Sequence, residues 1–235
     1  MTTVAARRRG LVLPWAAFAI ATLLVGHQLL LTVLHYFIGP ALGFDPMSAA
    51  LTAATIVGAG AIIAPLLWLD LRRERRREAV GLVGVAWDRR TWRVLVVALA
   101  ISQLPLLILA LQGATVWQSG GQAQLGVGRS LLGASGPAAA VGLGIAVVVI
   151  APLVEELLYR GYLLGALTRR LPAAVAVVLA SFAFMLLHAE VANWVASICL
   201  GVATGYCRVA TRSIWPGLAV HVASNAFGLW YMTLL

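Results

Sequence analysis

The sequence predicts an all-α bundle of transmembrane helices, about seven spans with six to eight as the range, and three observations predict it. The chain is 62% hydrophobic and 11% charged with a mean hydropathy of +0.95, whereas soluble domains run roughly 45–50% apolar and 25% charged. Apolar runs of roughly 17 to 25 residues recur along its length, each long enough to cross the hydrocarbon as a helix. All 17 basic residues are Arg, and nearly all fall in segments that one topology places on the same side, the positive-inside pattern.

The first span is expected at about 11–36, behind Arg7, Arg8 and Arg9. Its apolar run, from Leu11 to about Ile38, is too long for a signal-peptide core and lacks a clear small-residue cleavage site, so it reads as a retained helix. Gly39-Pro40 and Asp45-Pro46 break the chain before a second span at about 47–69. The segment 70–93 then holds Arg72, Arg73, Arg75, Arg76, Arg77, Arg89, Arg90 and Arg93. Asp70, Glu74, Glu78 and Asp88 interrupt it, which argues against nucleic acid as a partner and for a helical turn lying on anionic headgroups.

The third span is expected at about 94–112, and Gly113 to Pro137 form a Gly/Ser/Gln-rich outer loop holding Arg129, the one arginine left on that side. Spans four to seven are expected at about 138–159, 172–189, 192–209 and 214–233, with Pro172 and Pro216 near helix starts. Arg160, Arg169, Arg170, Arg208 and Arg212 fill the remaining positions of the basic side. Trp68, Trp87, Trp92, Trp117, Trp194, Trp215 and Trp230 fall near the water interfaces, as an aromatic belt requires. The N-terminus is then cytoplasmic and the C-terminus external. Residues 1–235 read as a single membrane domain, with no stretch long enough for a separate soluble one. Ala/Gly density at 133–144 and 192–205 allows close helix approach. Cys199 and Cys207 form neither a CxxC nor a disulfide framework.

Against this background the polar residues of the C-terminal half carry the chemistry. Glu155 and Glu156 are adjacent in a run apolar enough for a bilayer, where a charge costs at least about 2.5 kcal/mol, so the pair points to function. On a helix Glu156 and Arg160 share a face, whereas Glu155 is turned by about 100°. Glu156 and Arg160 therefore read as a structural ion pair, and Glu155 as a proton acceptor facing the bundle interior. Phe184 with His188, and His221 with Asn225, are also four apart and project together. Water attack on an amide needs a base, a group to orient the water, and donors for the oxyanion. Glu155 with His188 supply the first two, and His221 with Asn225 the third. His27 and His35 read as polar packing or interfacial residues with no assigned role. Gly133-Ala134-Ser135-Gly136 has the GxSG form of rhomboid serine proteases, but beside Pro137 it reads as a tight turn.

The three motifs Glu155-Glu156-Leu157-Leu158-Tyr159-Arg160, Phe184 to His188 and His221 to Asn225 resemble EExxxR, FxxxH and HxxxN of the CPBP family. These are the CAAX proteases and bacteriocin-processing enzymes, also called Abi or type II CAAX prenyl proteases. The resemblance covers roughly residues 138–235 and leaves 1–137 as a variable N-terminal part. It implies an intramembrane endopeptidase in which Glu155 activates water, His188 helps hold it, and His221 with Asn225 stabilise the oxyanion. The substrate is a membrane-associated peptide or protein, prenylated in the eukaryotic branch. A lysine-free, Ala/Arg-rich chain suggests a bacterial plasma membrane, and there peptide maturation or bacteriocin self-immunity. The family is commonly labelled metalloprotease. HExxH is absent, so metal-independent glutamate catalysis with no cofactor is favoured, and a zinc ion, if bound, would take Glu155, His188 and His221. The rival reading is a membrane scaffold or proton-coupled transporter that uses the Glu pair. A fourth span ending at Arg160 would put Glu155 and His188 at opposite faces. The catalytic reading therefore requires that helix to continue to about Thr168, or the fifth to be tilted or displaced.

Overall fold

A computed structural model describes residues 20–105, 136–186, 188 and 193–234, with side chains described as far as residue 230. The start of the first expected span, most of the outer loop, Arg129 and most of the GxSG segment lie outside the described residues. Among the described residues there are eight helices and no strand, an all-α membrane bundle. They are α1 (Ile20–Ala41), α2 (Ala49–Leu71), α3 (Glu74–Val80), α4 (Arg89–Ser102), α5 (Pro137–Leu167), α6 (Ala173–Leu186), α7 (Trp194–Thr211) and α8 (Trp215–Leu234). By length and composition α1, α2, α5 and α7 are each able to cross a membrane. The chain is an integral membrane protein.

Local chemistry sets the helix ends. Ser48 Oγ accepts the Leu51 N–H at 3.2 Å to start α2, and Asp88 Oδ1 accepts the Thr91 N–H at 2.8 Å to start α4. These are N-caps, which satisfy donors a helix start leaves orphaned. α3 ends at Gly81 in the left-handed region, φ 79°, where the missing Cβ removes the steric cost.

Inside α5 the helix widens at Ala146–Ile150 and again at Glu156–Leu163 into turns that bond i to i−5. The first widening has a traceable consequence. Ala151 N–H bonds Ala146 O, so the next bond in the series would run from residue 152 to Val147 O. Pro152 has no N–H, and Asn225 Nδ2 of α8 donates to Val147 O instead, at 2.9 Å.

Without a hydrophobic drive between helices in lipid, packing depends on close approach. Gly201 and Gly205 of α7 supply it against α6. A Cβ at 201 would come within 2.8 Å of Ser181 Cβ, and one at 205 within 2.9 Å of Val177 Cγ1. One packed cluster joins Leu24, Ile63, Leu67, Leu158, Tyr159 and Phe184 from α1, α2, α5 and α6. A second joins Val94, Leu95, Ala98, Ala203, Cys207 and Val220 from α4, α7 and α8.

The basic segment 70–93 forms the short α3 and a loop tied to the turn between α7 and α8. Ser213 Oγ donates to Val83 O at 2.8 Å, Ile214 N to Gly81 O at 2.9 Å, and Arg90 Nη2 to Ala210 O at 3.3 Å. One end of the bundle thus gathers most of the described arginines. Arg160 departs from the expectation that placed it on that basic side. Its side chain is 2% exposed inside the bundle, because its partners lie on α5 and α6.

Candidate active site

Depth is set by α5, which continues past Arg160 to Leu167. At 1.5 Å per residue Glu155 lies about 18 Å from that end. α6 begins at the same end, and His188 lies about 22 Å along the chain direction it sets. The long α5 therefore brings Glu155 and His188 to a common level, so the first of the two routes to a shared depth is the one observed.

His221 joins the two acids. Its Nδ1 is 3.0 Å from Glu156 Oε1, and its Nε2 is 3.6 Å from Glu155 Oε2. The two ring nitrogens lie on opposite edges, so one imidazole reaches two carboxylates that adjacent helical positions splay apart. Glu156 is fully buried and Glu155 16% exposed, so the outer acid is the one a water or substrate can approach.

The expected Glu156–Arg160 pair is present, with Arg160 Nη1 at 3.3 Å from Glu156 Oε1. It is a contact of charge more than of aligned hydrogen bonds. Neither Nη atom of Arg160, nor Glu156 Oε2, has a hydrogen-bond partner among the described residues. The Arg160 guanidinium carbon lies 4.4 Å over the Phe184 ring, a cation–π contact that offsets part of the burial cost. Gly217, one turn before His221, leaves space for the carboxylate. A Cβ there would sit 3.0 Å from Glu156 Oε2 and 3.2 Å from Thr204 O. Glu156 is thus bound to His221 as well as to Arg160, a wider role than the ion pair expected from spacing.

Phe184 is the common wall. Its ring meets His188 edge-on at 4.5 Å and His221 edge-on at 5.9 Å between centroids. His188 Nδ1 donates to Phe184 O at 2.7 Å, which fixes the ring and leaves Nε2 as its free acceptor. Trp194 Nε1, at the start of α7, donates to His188 O at 3.1 Å. Among the described residues Glu155 and His188 share no direct hydrogen bond. Asn225 reaches Val147 O with one amide hydrogen and keeps the other.

The same set does not make a metal cage. Among the described residues no three of His, Cys, Asp and Glu are disposed to hold an ion, and a zinc site needs donors converging at about 2.0–2.2 Å. His221 instead commits Nδ1 to Glu156 at 3.0 Å, while Nε2, at 3.6 Å from Glu155, stands beyond hydrogen-bond length of that acid and can turn to another acceptor.

Three groups at the site escaped the sequence reading. His27 of α1 is buried and lies within electrostatic range of Glu155. Gln28 hydrogen-bonds Tyr159, one turn from Glu155. Leu23, Leu24 and Leu30, which pack on the α5 cluster, mark the face that carries His27, and that periodicity was the available signal. Beside Asn225, Ser224 Oγ donates to Ser102 Oγ at 3.0 Å, and Gln103 Nε2 approaches Ser224 Oγ at 3.4 Å. That polar link between α4 and α8 had no motif to reveal it.

No curated protein and no solved structure matches the chain. Residues 137–227 match the family described as type II CAAX prenyl endopeptidase Rce1-like. The match begins at the first residue of α5 and contains Glu155, Glu156, Arg160, Phe184, His188, His221 and Asn225, so over this stretch the chain is similar to the Rce1-like family of type II CAAX prenyl endopeptidases.

Proposed function

We propose that the protein is an intramembrane endopeptidase that hydrolyses a peptide bond of a membrane-associated substrate with Glu155 as the water-activating base. The observation that carries this reading is the meeting of Glu155 with His221 at 3.6 Å, beside the buried Glu156 and Phe184. His188 Nε2 orients the attacking water while Glu155 takes its proton, and the hydroxide oxygen bonds the scissile carbon. The carbonyl π pair moves to oxygen, where the second Asn225 amide hydrogen and His221 stabilise it. The C–N pair then leaves with nitrogen, which receives the proton from Glu155. Glu156 holds His221 through Nδ1, and Arg160 balances Glu156. His27 of α1, buried and within electrostatic range of Glu155, adds to its polar surroundings.

Peptide maturation or self-immunity, and a prenylated substrate, are branches of the same chemistry. The deciding experiment measures cleavage of a membrane-anchored peptide in detergent by Glu155→Gln. The substitution keeps the shape of the side chain and removes the base, so turnover should fall by about 10²- to 10⁴-fold with an unchanged melting temperature. Cleavage by the variant at the wild-type rate, or none by the wild-type protein in detergent, would remove this reading in favour of a scaffold or of a proton-coupled transporter that needs a gradient.

A further inference from the structure

A second polar site lies at the arginine-rich end of the bundle, away from the catalytic candidates. The turn leaving α5, the first residue of α6 and the last turn of α7 enclose a cavity of about 200 Å³. Gly165, Ala173 and Val209 give it apolar walls, and Thr168, Arg208 and Arg212 give it polar ones. Small residues create the space. A Cβ on Gly165 would reach only Ala79 O, at 3.1 Å.

Its charge is one-sided. Arg208 and Arg169 lie close enough to repel each other, and Arg212 adds a third cation on the same rim. The carboxylates that pair with arginine among the described residues are Asp70, with Arg76, and Glu156, with Arg160. Neither reaches this corner. Arg208 is held in place before any ligand arrives. Its Nη2 donates to Ala79 O at 3.1 Å, and its guanidinium lies flat against Gly81, where a Cβ would come within 2.6 Å of Nε. Arg212 sits at the end of α7 in the left-handed region, φ 59°, a conformation that bulky residues adopt at a cost. Arg208 and Arg212 in the wall of an apolar-sided hollow, with Arg169 within electrostatic range of Arg208, fit a ligand that brings negative oxygens and carries hydrocarbon behind them.

We infer that this cavity binds the phosphate of an anionic lipid headgroup, with Arg208, Arg212 and Arg169 as its donors and Thr168 at its edge. Guanidinium forks match phosphate oxygens bidentately. Lipid is the source that suits the place, because the hollow lies at the arginine-rich end of the bundle, by the last turns of the membrane-crossing α5 and α7, and Gly165, Ala173 and Val209 suit the apolar part of a lipid.

Delipidated full-length protein in neutral detergent is titrated with phosphatidylglycerol, with phosphatidylcholine and with inorganic phosphate, following the melting temperature. Phosphatidylglycerol should give a saturable rise and phosphatidylcholine none. Arg212→Gln and Arg169→Gln are exposed substitutions outside the catalytic set, and each should raise the half-saturating lipid concentration about tenfold, as losing a charge-assisted bond does. Arg208→Gln should remove the response, and because it also frees Gly81 the two exposed variants keep the test valid if it folds poorly. Equal responses to the two lipids, or unchanged half-saturation in both exposed variants, would overturn the site. A full shift from inorganic phosphate alone would overturn the lipid assignment.

Discussion

Removing the charge of Glu156 tests the centre of the site most directly, because the structure gives that one carboxylate two dependants. Arg160 is 2% exposed and Glu156 0%, so Glu156→Gln leaves a guanidinium in the bundle with its Nη atoms already short of hydrogen bonds. Stranding one member of a buried pair costs about 3 to 5 kcal/mol. For a chain of this size that is a fall of roughly 10 °C in melting temperature. Arg160→Met costs less than Glu156→Gln, because Glu156 keeps His221 Nδ1 at 3.0 Å. The double variant Glu156→Gln/Arg160→Met removes both charges and their desolvation together, so its loss should be smaller than the sum of the singles by about 2 kcal/mol. Thermal melts in one detergent on the four proteins give the coupling, and peptide cleavage on the same samples gives activity. The recovered double variant should still turn over about 10²-fold more slowly, since His221 has lost the carboxylate that orients it. Additive melts would show that the two charges do not share a buried pair. Full activity in a well-folded double variant would refute the role given to Glu156.

Three further outcomes follow from single contacts. Gly217→Ala puts a Cβ 3.0 Å from Glu156 Oε2 and 3.2 Å from Thr204 O, an overpacking cost of about 1 to 3 kcal/mol; a melting temperature and turnover equal to wild type would mean the carboxylate is not confined there. His27→Leu keeps the packing of α1 on α5 and removes the ring facing Glu155, so kcat should drop about tenfold with KM and melting temperature unchanged, and His27→Gln should restore part of it; an unaltered kcat would return His27 to packing. Asp88 accepts the Thr91 N–H, which holds its carboxyl below the usual carboxylate range, so its cap is complete above the unfolded value of about 4 and is lost as pH falls through the folded value; the melting difference between wild type and Asp88→Ala should therefore be full at neutral pH and close on acidification.

The bundle was legible because the features that insert a helix in lipid are compositional. Long apolar runs and clustered arginines need no tertiary information, and α2, α5, α7 and α8 lie within a few residues of the runs that foretold them, apart from the C-terminal extension of α5. Helix periodicity likewise foretold the Glu156–Arg160 contact and the Phe184–His188 pairing, both properties of one helix and the residues just past it. Contacts between helices were less accessible. Nothing in the spacing of Glu155 and Glu156 says that one His221 touches both, because that depends on the crossing of α5 with α8. His27 was passed over for the same reason: a lone histidine in an apolar run acquires meaning only from the helix it faces.

Asn225 shows how a motif residue and a structural residue become one. Water attack alone would ask its amide for oxyanion donors, and that reading explains its place one turn after His221. Backbone geometry makes a separate demand. Because Pro152 lacks an N–H, the i−5 bond that Val147 O would otherwise receive is missing inside a membrane helix, where an unsatisfied carbonyl costs several kcal/mol. Asn225 Nδ2 fills it at 2.9 Å, and the bond crosses from α8 to Val147 of α5, eight residues before Glu155. The proline two residues past the first widened stretch therefore acts beyond its own turn. It creates an acceptor that only a side chain from another helix can satisfy, and so registers α8 against the acid-bearing turn. His221 inherits its position from that registration, which places the imidazole where both carboxylates reach it. In the proposed mechanism the second Asn225 hydrogen is then directed by the first, and an amide anchored through one N–H would be a better oxyanion donor than a free one, because it reorganises less as charge develops.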